Sequence, residues 1–316
     1  MSAVGAQVVV AVVQVVVLVL AAPVVVGVTR EVRARAEGRA GGRVGQPWRD
    51  LVKWWRKRPL QATGTSVVSR IAPVLLLSSS LVVVALVPLV TAAPTVVPAD
   101  LLVVVSVLLV GTVAIALLGL DAGSAFGGMG SSRHMMIAAL VEPTVLMAVY
   151  ALSVPVGSSS LSAIVDARRD DPASIASPAG VLAVVALVVV VLAETGRLPV
   201  DNPSTHLELT MVHEAMLLEA SGRDLASLEL GGWLRLSALL GLVGNLVLPW
   251  GVAGGTGPGE LALGAVALLA KLGLLAAVLG AAEVGVAKLR LFRVPELLAG
   301  SFVLAFLAVT ASALVA

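Results

Sequence analysis

The sequence predicts an all-α fold: a polytopic membrane bundle of about eight transmembrane helices, forming a single integral membrane domain over residues 1–316. Two observations carry this reading. Hydrophobic residues make up 59% of the chain and charged residues only 13%, against roughly 45–50% and about 25% in soluble domains. Eight apolar runs also reach, or nearly reach, the roughly 20 residues that cross about 30 Å of hydrocarbon. An ordinary cytosolic enzyme is excluded, and no separate soluble domain fits in what remains.

The runs fall at 3–28, 71–92, 101–120, 135–155, 178–195, 235–256, 260–282 and 295–315. The first does not read as a cleavable signal peptide, because no basic residue precedes it, its apolar stretch is too long and a basic segment follows it directly. The connection 29–70 holds eleven basic residues between Arg30 and Arg70, which predicts a cytoplasmic loop. Within it Trp48, Leu51, Val52 and Trp55 recur at i, i+3, i+4 and i+7, with Arg49, Lys53, Arg56 and Lys57 filling the other positions. That pattern describes a helix lying in the membrane interface, either as a lipid-facing anchor or as one wall of a docking surface.

Alternating the spans puts Arg133, then Arg197, Arg223 and Arg235, then Lys288, Arg290 and Arg293 on the same side as that loop. Eighteen of the 21 basic residues are then inside, only Arg168 and Arg169 occupy outside connections, and both termini are outside. The Gly-rich connection Gly123-Ser-Ala-Phe-Gly-Gly-Met-Gly-Ser-Ser-Arg133 has neither a P-loop lysine nor the dinucleotide glycine spacing. It is predicted to be a tight turn holding Arg133 near the cytoplasmic surface.

The chain contains no cysteine. Iron–sulfur clusters, thiolate zinc sites and a nickel–iron centre need cysteine sulfur, so any such centre belongs to another chain. A net charge of +2 gives no reason to expect nucleic acid. No catalytic residue and no metal ligand set is assigned within this chain.

Ionisable groups inside apolar runs carry the functional signal. Glu142, Glu194, Lys271 and Glu283 lie in or at the ends of spans, and four charges at the bilayer centre would cost roughly 12 kcal/mol on insertion scales. Such groups face a polar interior, and acidic chains of this kind serve as proton relays. Lys271 is the most central: either it neutralises a glutamate, or it titrates along a pathway, since a buried lysine readily shifts its pKa. Glu142 precedes Pro143, whose ring frees backbone carbonyls.

The connection 194–234 is an acidic, histidine-bearing loop. Pro199 and Pro203 stop the fifth span, and Thr205 with Glu208 makes a capping-box pattern that restarts a helix. On that helix His206, Thr210 and His213 share one face with Glu214 beside it, while Glu208, Ala215 and Glu219 line the opposite face. A helix polar on two sides does not belong in lipid. His213-Glu214 lacks the second histidine of a zinc protease, since Leu217 stands there. His206 and His213 therefore read as titrating or hydrogen-bonding groups. No Ser-His-Asp arrangement is assigned to His134, His206 or His213, and no inverted repeat marks a transporter.

Several segments together resemble a known family: Glu194-Thr-Gly-Arg197, Pro199-Val-Asp-Asn-Pro203, Thr205-His-Leu-Glu-Leu-Thr-Met-Val-His-Glu-Ala-Met216, Leu218-Glu-Ala-Ser-Gly222, Gly45-Gln-Pro47 with Asp50-Leu-Val-Lys53, Gly127-Gly-Met-Gly-Ser-Ser-Arg133, Val141-Glu-Pro143 and Lys288-Leu-Arg-Leu-Phe-Arg-Val-Pro-Glu296. They look like the membrane-anchor subunit of formate hydrogenlyase and related energy-converting nickel–iron hydrogenases, a relative of NADH dehydrogenase subunit 1 of respiratory complex I. His134 stands where this pattern carries Glu, and Ala220 where an aromatic precedes Ser221.

The resemblance covers most of the chain and implies a bundle like that complex I subunit, in a prokaryotic plasma membrane. It implies that the protein seats a hydrophilic arm of hydrogenase-like large and small subunits and a ferredoxin-like subunit, which carry iron–sulfur clusters and a nickel–iron centre. It further implies antiporter-like membrane partners that move protons or sodium, with quinone binding left open. On this view Arg133, Arg197, Asp201, His206, His213, Arg290 and Arg293 form the arm-docking junction. Glu142, Glu194, Glu208, Glu214, Glu219, Lys271 and Glu283 form the proton or ion pathway. The competing expectations are a quinone-reactive subunit of an NADH dehydrogenase-like complex and an independent ion transporter.

Overall fold

The computed structural model describes residues 3–93, 99–201 and 211–315. Its helices are α1 (Ala3–Ala36), α2 (Gln46–Trp55), α3 (Val68–Leu86), α4 (Leu101–Asp121), α5 (Ala125–Ser153), α6 (Leu161–Asp170), α7 (Pro178–Glu194), α8 (His213–Leu217), α9 (Gly222–Val247), α10 (Pro258–Gly285) and α11 (Val294–Val315). Among the described residues there is no strand, only isolated bridges pairing Thr91 with Ala253 and Asp100 with Ser160. Seven helices, α1, α3, α4, α5, α9, α10 and α11, are long and apolar enough to cross a membrane, and α7 is a shorter apolar helix of 17 residues. At 1.5 Å per residue α7 still rises about 26 Å. Each of the eight apolar runs thus maps onto one helix.

Local sequence explains most of the boundaries. Asp100, Ser124 and Ser177 cap α4, α5 and α7 by accepting from the amides of Leu102, Gly127 and Gly180, as short polar side chains do at helix starts. Pro258 opens α10, where its missing N–H costs nothing. Pro249 stops α9, because the residue before a proline is disfavoured in helical geometry, and Leu248 accordingly leaves the helix at φ −123° and ψ 72°.

Two boundaries differ from the sequence reading. The segment 125–133 is helical rather than a tight turn; only Gly123, at φ +65°, turns the chain. Its other glycines serve close packing. A Cβ on Gly127 would lie 2.6 Å from the Gly119 carbonyl of α4, and one on Gly130 2.8 Å from Ala215 of α8. The second difference is α9, which begins at Gly222 and ends at Val247, not at 235–256. Its charged first half lowers the local hydropathy, yet this is the most enclosed span, with 89% of its apolar window buried. A helix surrounded on all sides can carry charge if its neighbours supply counter-charge. The structure adds a short helix that the hydropathy pattern does not show, α6, with Leu161, Ile164 and Val165 buried.

α9 forms the centre, packed by α1, α2, α3, α7 and α10, while α3 pairs with α4, and α11 with α5 and α7. The segment predicted as amphipathic is helical as α2, with Leu51 buried and Val52 and Trp55 exposed. The connections gather at two ends. At one, Leu101 N–H donates to Ser159 and Ala92 N–H to Ala253. At the other, basic end, Leu289 N–H donates to Pro199, Ser221 hydroxyl donates to the Leu60 carbonyl, and Asp121 accepts from Ser66 and Ser69.

Candidate functional site

The site begins where α7 ends. Arg197 N–H donates to the Leu192 carbonyl at 2.8 Å and Gly196 N–H to Ala193 at 3.2 Å, with Gly196 at φ +59°. This paired closure with glycine in the left-handed region is the Schellman ending of a helix. It turns the chain so that Glu194 points toward α9 and Arg197 toward α10.

Glu194 meets Arg235 of α9 at 2.5 Å, both side chains being nearly enclosed. The same guanidinium donates to the Leu108 carbonyl at 2.5 Å and to the Thr112 hydroxyl at 2.7 Å on α4. Glu142, beside the Pro143 interruption of α5, lies within electrostatic reach of Glu194 and Arg235. Its buried Oε1 has no hydrogen-bond partner among the described residues. Pro143 takes the amide donor away from the Ala139 carbonyl, and the Thr144 hydroxyl donates to Leu140 at 2.6 Å.

Glu283, near the end of α10, accepts from Arg197 at 3.3 Å and from Arg33 of α1 at 3.4 Å. Burial pushes the Arg197 guanidinium down from its ordinary value, and Glu283 opposes that shift. Asp201 ties three segments: it accepts from the amides of Val212 and His213 at 3.3 and 3.1 Å, and pairs with Lys288 at 2.7 Å. A carboxylate at a helix start also favours that end of the helix dipole. Burial is the main reason the His213 imidazole is held down at about 4; Asp201 opposes this and Arg235 and Arg197 reinforce it.

Arg33, Glu194, Arg197, Asp201, His213, Arg235 and Glu283 line one cavity of about 350 Å³, and Glu142 is not part of its wall. Its polar wall includes Arg33, Glu194, Arg197, Glu229, Arg235 and Glu283, and Leu76, Ile115 and Trp233 contribute an apolar wall. Glu194, Arg197, Asp201, His213, Glu214 and Glu283 of the sequence-predicted residues all line it. Arg235, Glu229 and His134 also line it, although the sequence reading gives them no place in the site. The signal for the first two is present in the chain, as charges next to and inside the run that forms α9.

The remaining residues lie elsewhere. Lys271, with 0% exposure, donates to Asn245 Oδ1 at 2.9 Å and sits 5.0 Å from the centre of the Trp250 ring. It is twelve residues from Glu283, about 18 Å along α10, and is not part of the cavity wall. Glu219 accepts from the Ser124 hydroxyl, and Arg133 donates to the Met211 carbonyl at 3.0 Å. Arg290 and Arg293 are exposed at the basic end. His206 and Glu208 lie outside the described residues.

The NADH dehydrogenase family model matches residues 8–314. The chain is 31% identical to formate hydrogenlyase subunit 4 of Escherichia coli (strain K12), covering 94% of this chain and 95% of that protein. It is 31% identical to hydrogenase-4 component C of the same organism, over 79% of this chain and 78% of that one. Among solved structures, a chain of the membrane-bound sulfane sulfur reductase, an archaeal respiratory membrane complex, superposes with a TM-score of 0.80 at 19% identity, covering 97% of this chain and 99% of that one. The chain belongs to the NADH dehydrogenase family of complex I-type membrane proteins, alongside the formate hydrogenlyase and hydrogenase-4 membrane subunits.

Proposed function

We propose that this protein is the membrane subunit of a complex I-like, hydrogenase-type redox complex, seating a hydrophilic electron-transfer arm and linking its redox chemistry to proton or sodium movement. The observation that carries the coupling role is the cavity directly behind the turn that follows α7, where Glu194–Arg235 and Glu283–Arg197–Arg33 pair across neighbouring helices. A charge change at the arm would act on these pairs across the cavity they line. Protonating Glu194 would release its hold on Arg235, whose guanidinium keeps the Leu108 and Thr112 acceptors. The pair can therefore open without stranding the arginine.

The arm would meet the basic end, where Arg290 and Arg293 are exposed, with that end cytoplasmic and both termini outside. Its large, small and ferredoxin-like chains would hold the clusters and any nickel–iron centre, because this chain has no cysteine. Antiporter-like membrane subunits would carry the moving ion. A quinone headgroup is the second occupant the cavity would admit, since Leu76, Ile115 and Trp233 form an apolar wall beside guanidinium donors.

Purification of the tagged protein from its native membrane in mild detergent tests this reading. Cluster-bearing soluble chains and antiporter-like chains should co-purify, with iron in every preparation and nickel distinguishing a hydrogenase from a nickel-free relative. A stoichiometric bound quinone would favour the quinone-reactive alternative. Recovery of the chain alone, after controls for detergent dissociation, would overturn the proposal in favour of an independent transporter.

A further inference from the structure

We infer that His134 is a proton-relay residue, passing protons between the His213 side of the cavity and Glu194 through one intervening water. The inference rests on the coupling role proposed above and adds a group which that role does not require.

Buried imidazole nitrogens in folded proteins are ordinarily hydrogen-bonded. His134 Nε2 is buried and has no partner among the described residues. A histidine retained for packing or for a fixed hydrogen bond would not leave that nitrogen open. The His134 and His213 rings stand 6.4 Å apart between centroids, tilted at 52°, too far for a direct hydrogen bond between most ring atoms, and both line one small cavity.

A second, small cavity of about 10 Å³ lies beside them, a volume that holds one water where polar partners are present. Its polar lining is His134, Glu194, Asp201 and His213; Ile137, Ala193, Val200 and Val212 form an apolar sleeve around them. Four titratable groups converge on a single water site whose other lining is mostly aliphatic, and the same four also line the larger cavity, so a proton can enter from that side and leave through the water.

A neutral imidazole has one donor and one acceptor nitrogen, so the step balances. One nitrogen of His134 takes a proton from a hydronium in the larger cavity, which both histidines line, leaving water there, and the imidazolium forms. The other nitrogen gives its proton to the water, and the water passes one of its protons to the Glu194 carboxylate. The ring and the water end neutral, Glu194 ends protonated, and one proton has moved. His134 and Glu142 share α5, so Glu142, within electrostatic reach of Glu194, is placed to take the proton deeper.

The test uses the intact complex in sealed liposomes, reading ions moved per electron together with electron-transfer rate and thermal midpoint. Four variants are compared: H134Q, H134F, H134E and E194Q. The expected result is that H134Q and H134F lose about tenfold or more of the ion-to-electron ratio with electron transfer and midpoint retained, and H134E recovers most of it, because a carboxyl titrates where an amide or a phenyl ring cannot. H134F also covers the case in which the glutamine variant fails to assemble. An unchanged ratio in H134Q and H134F beside an uncoupled E194Q overturns the His134 relay and leaves the coupling role standing. Unchanged ratios in all four overturn both, as does translocation of sodium with no proton movement for the relay.

Discussion

Glu194, the last residue of α7, and Arg235, within α9, form an ion pair at 2.5 Å with side chains only 6% and 7% exposed. Removing two charges from water costs several kcal/mol each, and their attraction offsets this only with good geometry and further hydrogen bonds. Here Thr112 and Leu108 supply those bonds. A pair so enclosed, on the wall of a cavity it shares with Glu283 and Arg197, is better suited to a change of protonation than to fixing the bundle, for which apolar packing would serve as well.

Replacing Glu194 by Gln should leave assembly intact and lower ion translocation more than electron transfer. Arg235 keeps the Thr112 and Leu108 acceptors and the amide keeps the shape. Liposome-reconstituted complex, scored for ions moved per electron, checks this; equal assembly and equal pumping would remove Glu194 from the pathway.

Replacing Arg235 by Met should be far more damaging, since it leaves Glu194 buried without its counter-charge at a cost of about 3–5 kcal/mol. The double variant E194Q/R235M should recover a large part of that loss. Thermal midpoints of the detergent-purified complex test the ordering, and a double variant no better than R235M would contradict the account.

The His213 imidazole sits at about 4, against 6.5 unperturbed, with burial as the first cause. Between those values the unfolded chain binds more protons than the folded one, so stability rises with pH. Acidification from pH 6.5 toward 4 should therefore destabilise the protein by up to about 3 kcal/mol through this group. H213Q should show a flatter midpoint-against-pH curve, and identical curves would place the pH response elsewhere.

Asn245 donates to the Pro88 and Leu89 carbonyls, each at 2.9 Å, and accepts from Lys271. Asn245→Leu strands both carbonyls and the ammonium, with an expected loss of about 1–3 kcal/mol or more. Lys271→Met keeps the stem's packing and removes a buried charge that has no carboxylate partner among the described residues, so its loss should be smaller. A reversed order of midpoints would show that Lys271, not Asn245, holds the unwound stretch after α3.

Much of the membrane architecture is legible in the chain because hydropathy and length act locally: each of the eight apolar runs became a helix, and the Trp48, Leu51, Val52, Trp55 spacing became α2. The Glu194-Thr-Gly-Arg197 turn is equally local, needing only a glycine past the helix end. Where hydropathy misleads, packing is the cause. The glycines at 127 and 130 suggest a turn because a lone sequence shows small residues without showing what presses against them. The start of α9 is hidden because Arg223, Asp224 and Glu229 depress hydropathy, whereas inside the bundle a charged helix can be paired.

Residue identity alone settles the class of protein, the number of apolar spans and the charges Glu142, Glu194, Lys271 and Glu283 within or beside them, since insertion cost depends on which residues lie in an apolar run. The pairings and the true extent of α9 come from packing: Glu194 with Arg235, Glu283 with Arg197 and Arg33, and Lys271 with Asn245. An ion pair is set by distance between helices far apart in the chain, and no periodicity in one helix records which face of another it will meet.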